Sequence, residues 1–170
     1  MQTNYHVNMD SCFAGQIKYL RDQGIEGHIA DSTIYFGKGV SAGTVSPNSG
    51  NTGSASMGSV KVPATNSDVF RGIALQKHTE QAYPFVANTP SGHYVESETV
   101  DVFRRGVVVV LVTGTVTVDG STVYCTVGAN GGVFTSDSGS NLTVPTGTFR
   151  SGSITLSNGD TVADLEINLP

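Results

Sequence analysis

The stretch TVDVFRRGVVVVLVTGTVTVDGSTVY, residues 99–124, carries the densest strand signal of the chain. Polar and apolar residues alternate from Thr99 to Arg104, which is typical of a strand with one buried face. After an expected interruption at Gly106, the apolar run Val107–Val112 indicates a fully buried strand. Asp119-Gly120 then lies between Val116–Val118 and Thr122–Tyr124, two triplets of residues that favour strands. Because both residues tolerate a positive φ angle, the pair predicts a two-residue hairpin turn.

The composition outside this stretch favours the same kind of structure. The 170 residues include 22 Val, 19 Thr, 18 Ser and 21 Gly, while charged residues make up 14%, against about 25% in an average soluble protein. Val and Thr have restricted χ1 angles and fit pleated, half-buried surfaces, whereas Gly and Ser favour turns. The sequence therefore predicts an all-β protein, and neither a helical bundle nor alternating βα units.

Further strand and turn signals follow the same pattern. Gly24–Gly27 is expected to end the N-terminal segment that precedes it, and Ser32–Gly37 is predicted to be the first clear strand. Asn158-Gly159 predicts a second hairpin turn before residues 162–169, where apolar residues alternate with Asp164, Glu166 and Asn168. Many short strands with turns at this spacing predict a small β-barrel or a jelly-roll-like sandwich.

The domain organisation is predicted from where these signals are missing. Residues 1–24 show little periodicity and are interpreted as an extended N-terminal arm, followed by a single β domain over residues 25–170. Within the domain, residues 41–59 are mostly Ser, Gly, Asn, Thr and Ala. Because such a segment has little to bury, it is expected to form a flexible surface loop.

Several apolar residues lie in the arm, where the sequence shows no core for them to enter. They could fold back onto the barrel or lie on another subunit, and the weak local structure favours contact with another subunit. These candidate contact residues are Tyr5, Phe13, Ile17, Tyr19 and Leu20.

Charge and cysteine content exclude several classes of protein. The net charge is −5, which argues against nucleic-acid binding through a basic patch. No run approaches the ~18 apolar residues of a membrane helix. Residues 1–6 lack the features of a signal peptide, so synthesis in the cytosol and free thiols at Cys12 and Cys125 are expected. None of the four histidines has metal-ligand spacing, and no cofactor is predicted.

Two short motifs allow more than one interpretation. Ser41 lies in a G-x-S-x-G pattern, but a nucleophile elbow requires a following helix, and a Gly/Ser tract follows here. A chance match is therefore favoured over a hydrolase. Arg104-Arg105 is the only adjacent basic pair. It is expected between two strands, either as an ion pair with nearby carboxylates or as an anchor to an acidic protein surface.

The order of several short motifs resembles the structural cement proteins of tailed phages. An aromatic arm ends in a small-Gly-Gln step, a strand ends in Phe-Gly, an aliphatic strand has the form Phe-x-Gly-Ile-Ala-Leu, and Val-rich and Gly-x-Phe-Thr segments precede a final alternating strand. The matching segments are 13–16, 34–40, 70–75, 104–109, 120–124, 132–135 and 163–169. The resemblance covers most of the chain, although residues 41–59 are longer and emptier than expected.

This resemblance implies a non-enzymatic protein that binds the outside of a phage head and stabilises it by bridging major capsid protein subunits. It implies self-association, and the symmetry sites of a shell favour a homotrimer over a homodimer. From charge, hydropathy and motifs, no nucleic acid, membrane or cofactor is expected. The expected capsid or subunit contacts are Tyr5, Phe13, Ile17, Tyr19, Leu20, Arg104 and Arg105. The alternative is a carbohydrate- or receptor-binding β module of a phage tail or fibre, which the absence of Trp counts against.

Overall fold

The computed structural model describes residues 12–18, 24–44, 58–77, 92–114, 116–118 and 120–170, and these ranges contain strands and no helix. The all-β prediction is therefore confirmed. The strands are β1 (Gly24–Ala30), β2 (Ile34–Tyr35), β3 (Gly39–Ala42), β4 (Ser59–Lys61), β5 (Phe70–Ala74), β6 (His93–Tyr94), β7 (Thr99–Leu111), β8 (Tyr124–Cys125), β9 (Phe134–Thr135), β10 (Leu142–Thr143), β11 (Thr148–Phe149), β12 (Ile154–Thr155) and β13 (Thr161–Asn168).

Five strands close into a small barrel in the order β1-β4-β3-β5-β7. β1 pairs with β4 in parallel, and the other four pairings, including β7 with β1, are antiparallel. Closure removes exposed strand edges wherever the pairing is complete. The interior is filled by buried aliphatic and aromatic side chains, namely Ala30, Ile34, Phe36, Val40, Val60, Ala74, Tyr94, Val100 and Val102.

The strand β7 is long enough to belong to two parts of the fold. Its first half closes the barrel, while its second half pairs with β13 from Arg105↔Asn168 to Leu111↔Val162. The separate sheet β10-β8-β9 packs against this extension. The largest hydrophobic cluster unites residues of both sheets with Phe70, Ile73 and Phe103 from the barrel strands.

A β-bulge at Arg104 lets one strand serve both cores. Gly24 pairs with Arg105 and Ile25 pairs with Phe103, which leaves Arg104 as the extra residue. An extra residue shifts the alternation of the strand by one position. Phe103 and Val108 are five positions apart, so a regular strand would place their side chains on opposite faces. With the extra residue, both side chains reach the same core cluster.

The expected interruption at Gly106 is wrong, because β7 is continuous from Thr99 to Leu111. Gly106 instead allows a bend: its φ is 116°, and a Cβ there would lie 2.9 Å from Phe103 Cζ. Only glycine adopts such a φ without strain. The Arg104-Arg105 pair consequently lies within a strand and not between two strands.

Three sequence expectations about turns have different outcomes. Gly24–Gly27 is not a break between two segments, because these residues form the beginning of β1. The Asp119-Gly120 hairpin is wrong, because residues 116–118 form no strand and β8 pairs with β9 and β10; Asp119 itself lies outside the described residues. The Asn158-Gly159 hairpin is confirmed, since β12 pairs with β13 across it.

Residues 12–18 lie against the second half of β7. Ile17 forms an isolated antiparallel bridge with Val108, and Gly15 N–H donates to Val109 O at 2.7 Å. Cys12 and Ala14 are buried in a small cluster with Val109, Leu111, Leu156 and Val162. This part of the predicted arm therefore folds back onto its own domain, while residues 1–11 and 19–23 lie outside the described residues.

The ends of the predicted 41–59 loop are more ordered than its composition indicates. Ser41 and Ala42 belong to β3, and Ser59 belongs to β4. Asp31 joins the two ends, because its Oδ2 accepts from Thr44 N at 2.6 Å and its carboxylate also hydrogen-bonds the Ser59 side chain. A backbone hydrogen bond from Gly43 N to Ser59 O at 2.8 Å joins them as well. Residues 45–57 lie outside the described residues.

Candidate functional site: an interaction surface

Arg104 connects three segments at the bulge. Its Nη1 donates to Glu26 Oε1 on β1, and its Nη2 donates to the carbonyl oxygen of Pro170. Leu169 N–H also donates to Arg104 O at 2.9 Å. His28 Nε2 lies 3.4 Å from Glu26 Oε2, so Glu26 is flanked by two basic groups. Arg104 thus joins β1 and β7 to the C-terminal residues.

The charge state of Glu26 follows from these neighbours. Partial burial alone would raise its pKa, but the hydrogen bond and charge of Arg104, followed by those of His28, outweigh burial and lower the pKa below its ordinary value. Glu26 therefore stays ionised at neutral pH. Of the two interpretations of the basic pair, the local ion pair describes Arg104.

Arg105 differs from its neighbour. Its side chain is exposed and has no ion-pair or hydrogen-bond partner within the ranges the structure covers. Among the described lysines and arginines, Arg71 is the other side chain with this property. Arg105 lies beside Gly24, where an added Cβ would be 3.4 Å from Arg105 Cβ. Its charge is available to a partner molecule.

The structure brings part of the predicted contact set together along β7. Ile17 and Lys18 pair with Val108 and Val107, a few residues from the Arg104-Arg105 pair. Ile17 is nevertheless half-buried against the main core, so only part of its surface remains accessible. Phe13 is also half-buried, whereas Tyr5, Tyr19 and Leu20 lie outside the described residues.

Two surface features were missed from the sequence. Ile25 is an exposed apolar side chain on β1, with 46% of its surface accessible, and Glu26 is the carboxylate that pairs with Arg104. Both were overlooked because two glycines, Gly24 and Gly27, bracket them and resembled a turn. The only available signal was the weak alternation that continues to Ala30.

The candidate nucleophiles are placed unfavourably for chemistry. Ser41 is completely buried within β3, and its Oγ lies 3.4 Å from Lys61 O. Burial raises the pKa of the Cys125 thiol to about 12, so it is protonated at neutral pH. Both cysteines are free thiols, and both are buried. Over the described ranges there is no cluster of three or more potential metal ligands, and no helix there is long and apolar enough to cross a membrane.

The fold defines a class of protein: an all-β protein built around a small closed β-barrel with additional strands. The sequence matches the family model described as "Structural cement protein (E217 gp24/Pam3 gp6)" over residues 1–168. The chain therefore belongs to this family of tailed-phage capsid cement proteins.

The fold agrees with this membership. A chain of a solved structure described as "The capsid of Myoviridae Phage XM1" superposes with a TM-score of 0.65 at 19% sequence identity, covering 99% of this chain and 98% of that one. At this identity the likeness concerns the fold alone. No curated protein sequence matches this chain. Family membership gives the protein a structural role associated with the phage capsid.

Proposed function

We propose that this protein is a decoration protein that binds the outside of the assembled phage head and stabilises it by bridging major capsid protein subunits. The observation that carries the proposal is the family match over residues 1–168. The protein acts without catalysis, consistent with the burial of Ser41 and the raised pKa of Cys125.

Stabilisation would operate by mass action. A protein that binds only the assembled shell lowers the free energy of the shell relative to its dissociated subunits. Bridging supplies this preference for the assembled shell, because a binding site shared by two subunits is complete only when the subunits are together. The capsid and subunit contacts proposed from the sequence are Tyr5, Phe13, Ile17, Tyr19, Leu20, Arg104 and Arg105, and within this set the exposed, unpaired Arg105 is the best-supported anchor.

Self-association would match the symmetry of the shell. Threefold positions favour homotrimers and twofold positions favour homodimers, and we propose a homotrimer. Light scattering coupled to size exclusion measures this directly, as an apparent mass three or two times the 17.7 kDa of the chain. The partners are then the major capsid protein and further copies of the chain, without nucleic acid or membrane, after synthesis in the host cytoplasm.

Co-sedimentation tests the proposal. The purified chain is mixed with mature, DNA-filled heads and, separately, with unexpanded precursor shells. Saturable binding at a fixed ratio to the major capsid protein on mature heads, together with an increased temperature of head disruption, is the expected result. Absence of binding to both shells would contradict the proposal and would leave the tail or receptor module to be tested on a glycan array.

A further inference from the structure

One edge of the barrel is incompletely paired in the described part of the chain. β1 pairs with β7 along Gly24–Ile29, but it pairs with β4 only at Ile29 and Ala30. The outer edge of Gly24–His28 therefore has no strand beside it among the described residues. Three consecutive residues of this segment, Ile25 to Gly27, are exposed.

The backbone of this edge presents donors and acceptors outward. Ile29 N–H and Asp31 N–H donate towards the β4 side, to Gly58 O and Val60 O, whereas Ala30 N–H donates towards the β7 side, to Glu98 O. Because hydrogen-bonding groups alternate sides along a strand, the N–H and C=O of Ile25 and Gly27 point away from β7. Such an edge is a template for an added strand.

Two charged side chains of β7 lie next to the glycines of β1, on the side of β1 opposite to its outer edge. Arg105 is the register partner of Gly24, and Asp101 is the register partner of Gly27. Both side chains are exposed, and neither has an ion-pair partner within the described ranges. Because glycine has no side chain and neighbouring strands lie about 4.8 Å apart, each charge can extend across β1 towards a residue on an added strand.

The charge of Glu26 disfavours a second copy of the chain as the occupant. Antiparallel pairing of two β1 edges through Ile25 and Gly27 would align the ionised Glu26 with its own copy. Like charges opposed across strands are destabilising. A segment with an acidic residue opposite Gly24 and a basic residue opposite Gly27 would instead complement both charges.

We propose that the outer edge of β1 receives an extended segment of a major capsid subunit as an added strand, with those two charged residues on the segment. This inference rests on the proposed function and specifies how the head is recognised. Backbone hydrogen bonds at Ile25 and Gly27 supply affinity, the exposed Ile25 side chain covers an apolar residue, and Arg105 and Asp101 set the register and direction.

Two variants with matched controls test the inference by titration of mature heads in the co-sedimentation assay. Gly27→Pro removes an outward N–H without touching the β1–β7 ladder, and Gly152→Pro is its control at an exposed loop glycine with no atom within 4 Å of an added Cβ. Arg105→Glu reverses an unpaired charge at the edge, and Arg71→Glu reverses the other unpaired arginine. We expect both edge variants to weaken binding about tenfold or more and both controls to bind like wild type.

The outcomes separate this inference from the proposed function. If wild type does not bind heads, the proposed function fails first. If wild type binds and Arg105→Glu binds equally well, the added-strand inference is overturned even should Gly27→Pro fold poorly. Loss of a dimer or trimer of the free protein in Gly27→Pro, measured by sedimentation velocity, would assign the edge to a second copy and would also overturn it. Thermal melts of all four variants exclude unfolding as the cause of lost binding.

Discussion

Gly72 lies where β5 packs closely against the bulged strand β7, and replacing it with alanine should destabilise the whole fold. Its φ is 152°, and an added Cβ would lie 2.4 Å from Phe103 O and 2.6 Å from Val102 Cγ1. The first contact is with backbone, which cannot rotate away. A positive φ costs about 1–2 kcal/mol for a residue with a side chain, and overpacking adds about 1–3 kcal/mol.

The expected destabilisation of Gly72→Ala is therefore about 2–5 kcal/mol. For a chain of this size, that lowers Tm by roughly 5–15 °C. Gly120→Ala is the matched control, because Gly120 has a φ of 84° but nothing within 4 Å of an added Cβ. The control isolates the cost of the backbone angle, about 1 kcal/mol.

Circular dichroism melts and urea titrations of the two variants measure the difference. If Gly72→Ala unfolds at the same temperature as Gly120→Ala, the close approach of β5 and β7 contributes nothing, and the packing described at the bulge is wrong. A changed urea m-value would indicate instead that the substitution altered the compactness of the unfolded or the native state.

Three further outcomes are expected. Burial alone would raise the pKa values of Asp31 and Asp68, but hydrogen bonds and nearby Lys61 outweigh burial and lower both pKa values from the ordinary value of Asp. Because these groups favour the fold only when ionised, stability should fall as pH drops below about 4, and Asp68→Asn should reduce that slope in urea titrations. Phe134→Ala, which empties a completely buried position in the main core, should cost about 3–5 kcal/mol, whereas equal stability in a urea titration would contradict the described core. Cys125, with its pKa raised to about 12, should resist iodoacetamide at pH 8 in the native protein and react once urea unfolds it, as followed by mass spectrometry.

Local patterns in the sequence were reliable where a strand alternates regularly or follows a short turn from its partner. The alternation in β13 leaves Leu165 and Ile167 buried and Asn168 exposed, and the Asn158-Gly159 turn joins β12 to β13. The hairpin of β12 and β13 lies within fifteen residues, so short-range signals were sufficient to predict it. The longer pairing of β13 with the distant β7 was not predictable from them.

The sequence was misleading where the partner of a strand is distant. Val116–Val118 has high β propensity but no partner strand, because the neighbouring β8 pairs with β9 and β10. Gly24–Gly27 resembles a turn but is held in β1 by β7, almost eighty residues away. Propensity describes a residue and its neighbours, and tertiary pairing overrides it.

The two arginines of the candidate contact surface also have roles that the sequence could not predict. Arg104 and Arg105 are adjacent and chemically identical in the sequence, so nothing in the sequence distinguishes their roles. The bulge turns one arginine to Glu26 and the carbonyl of Pro170, and it leaves the other exposed beside Gly24.

The sequence alone determined the all-β class and the family, because composition and motif order are properties of the chain itself. Only the tertiary structure decided that β7 spans two cores, that residues 12–18 fold back onto the domain, and that Arg104 has an ion-pair partner among the described residues while Arg105 has none. Each of these outcomes depends on which segments, distant in the sequence, pack against each other. Hydrogen-bond pairing and burial determine that packing, and both are complete only in the folded chain.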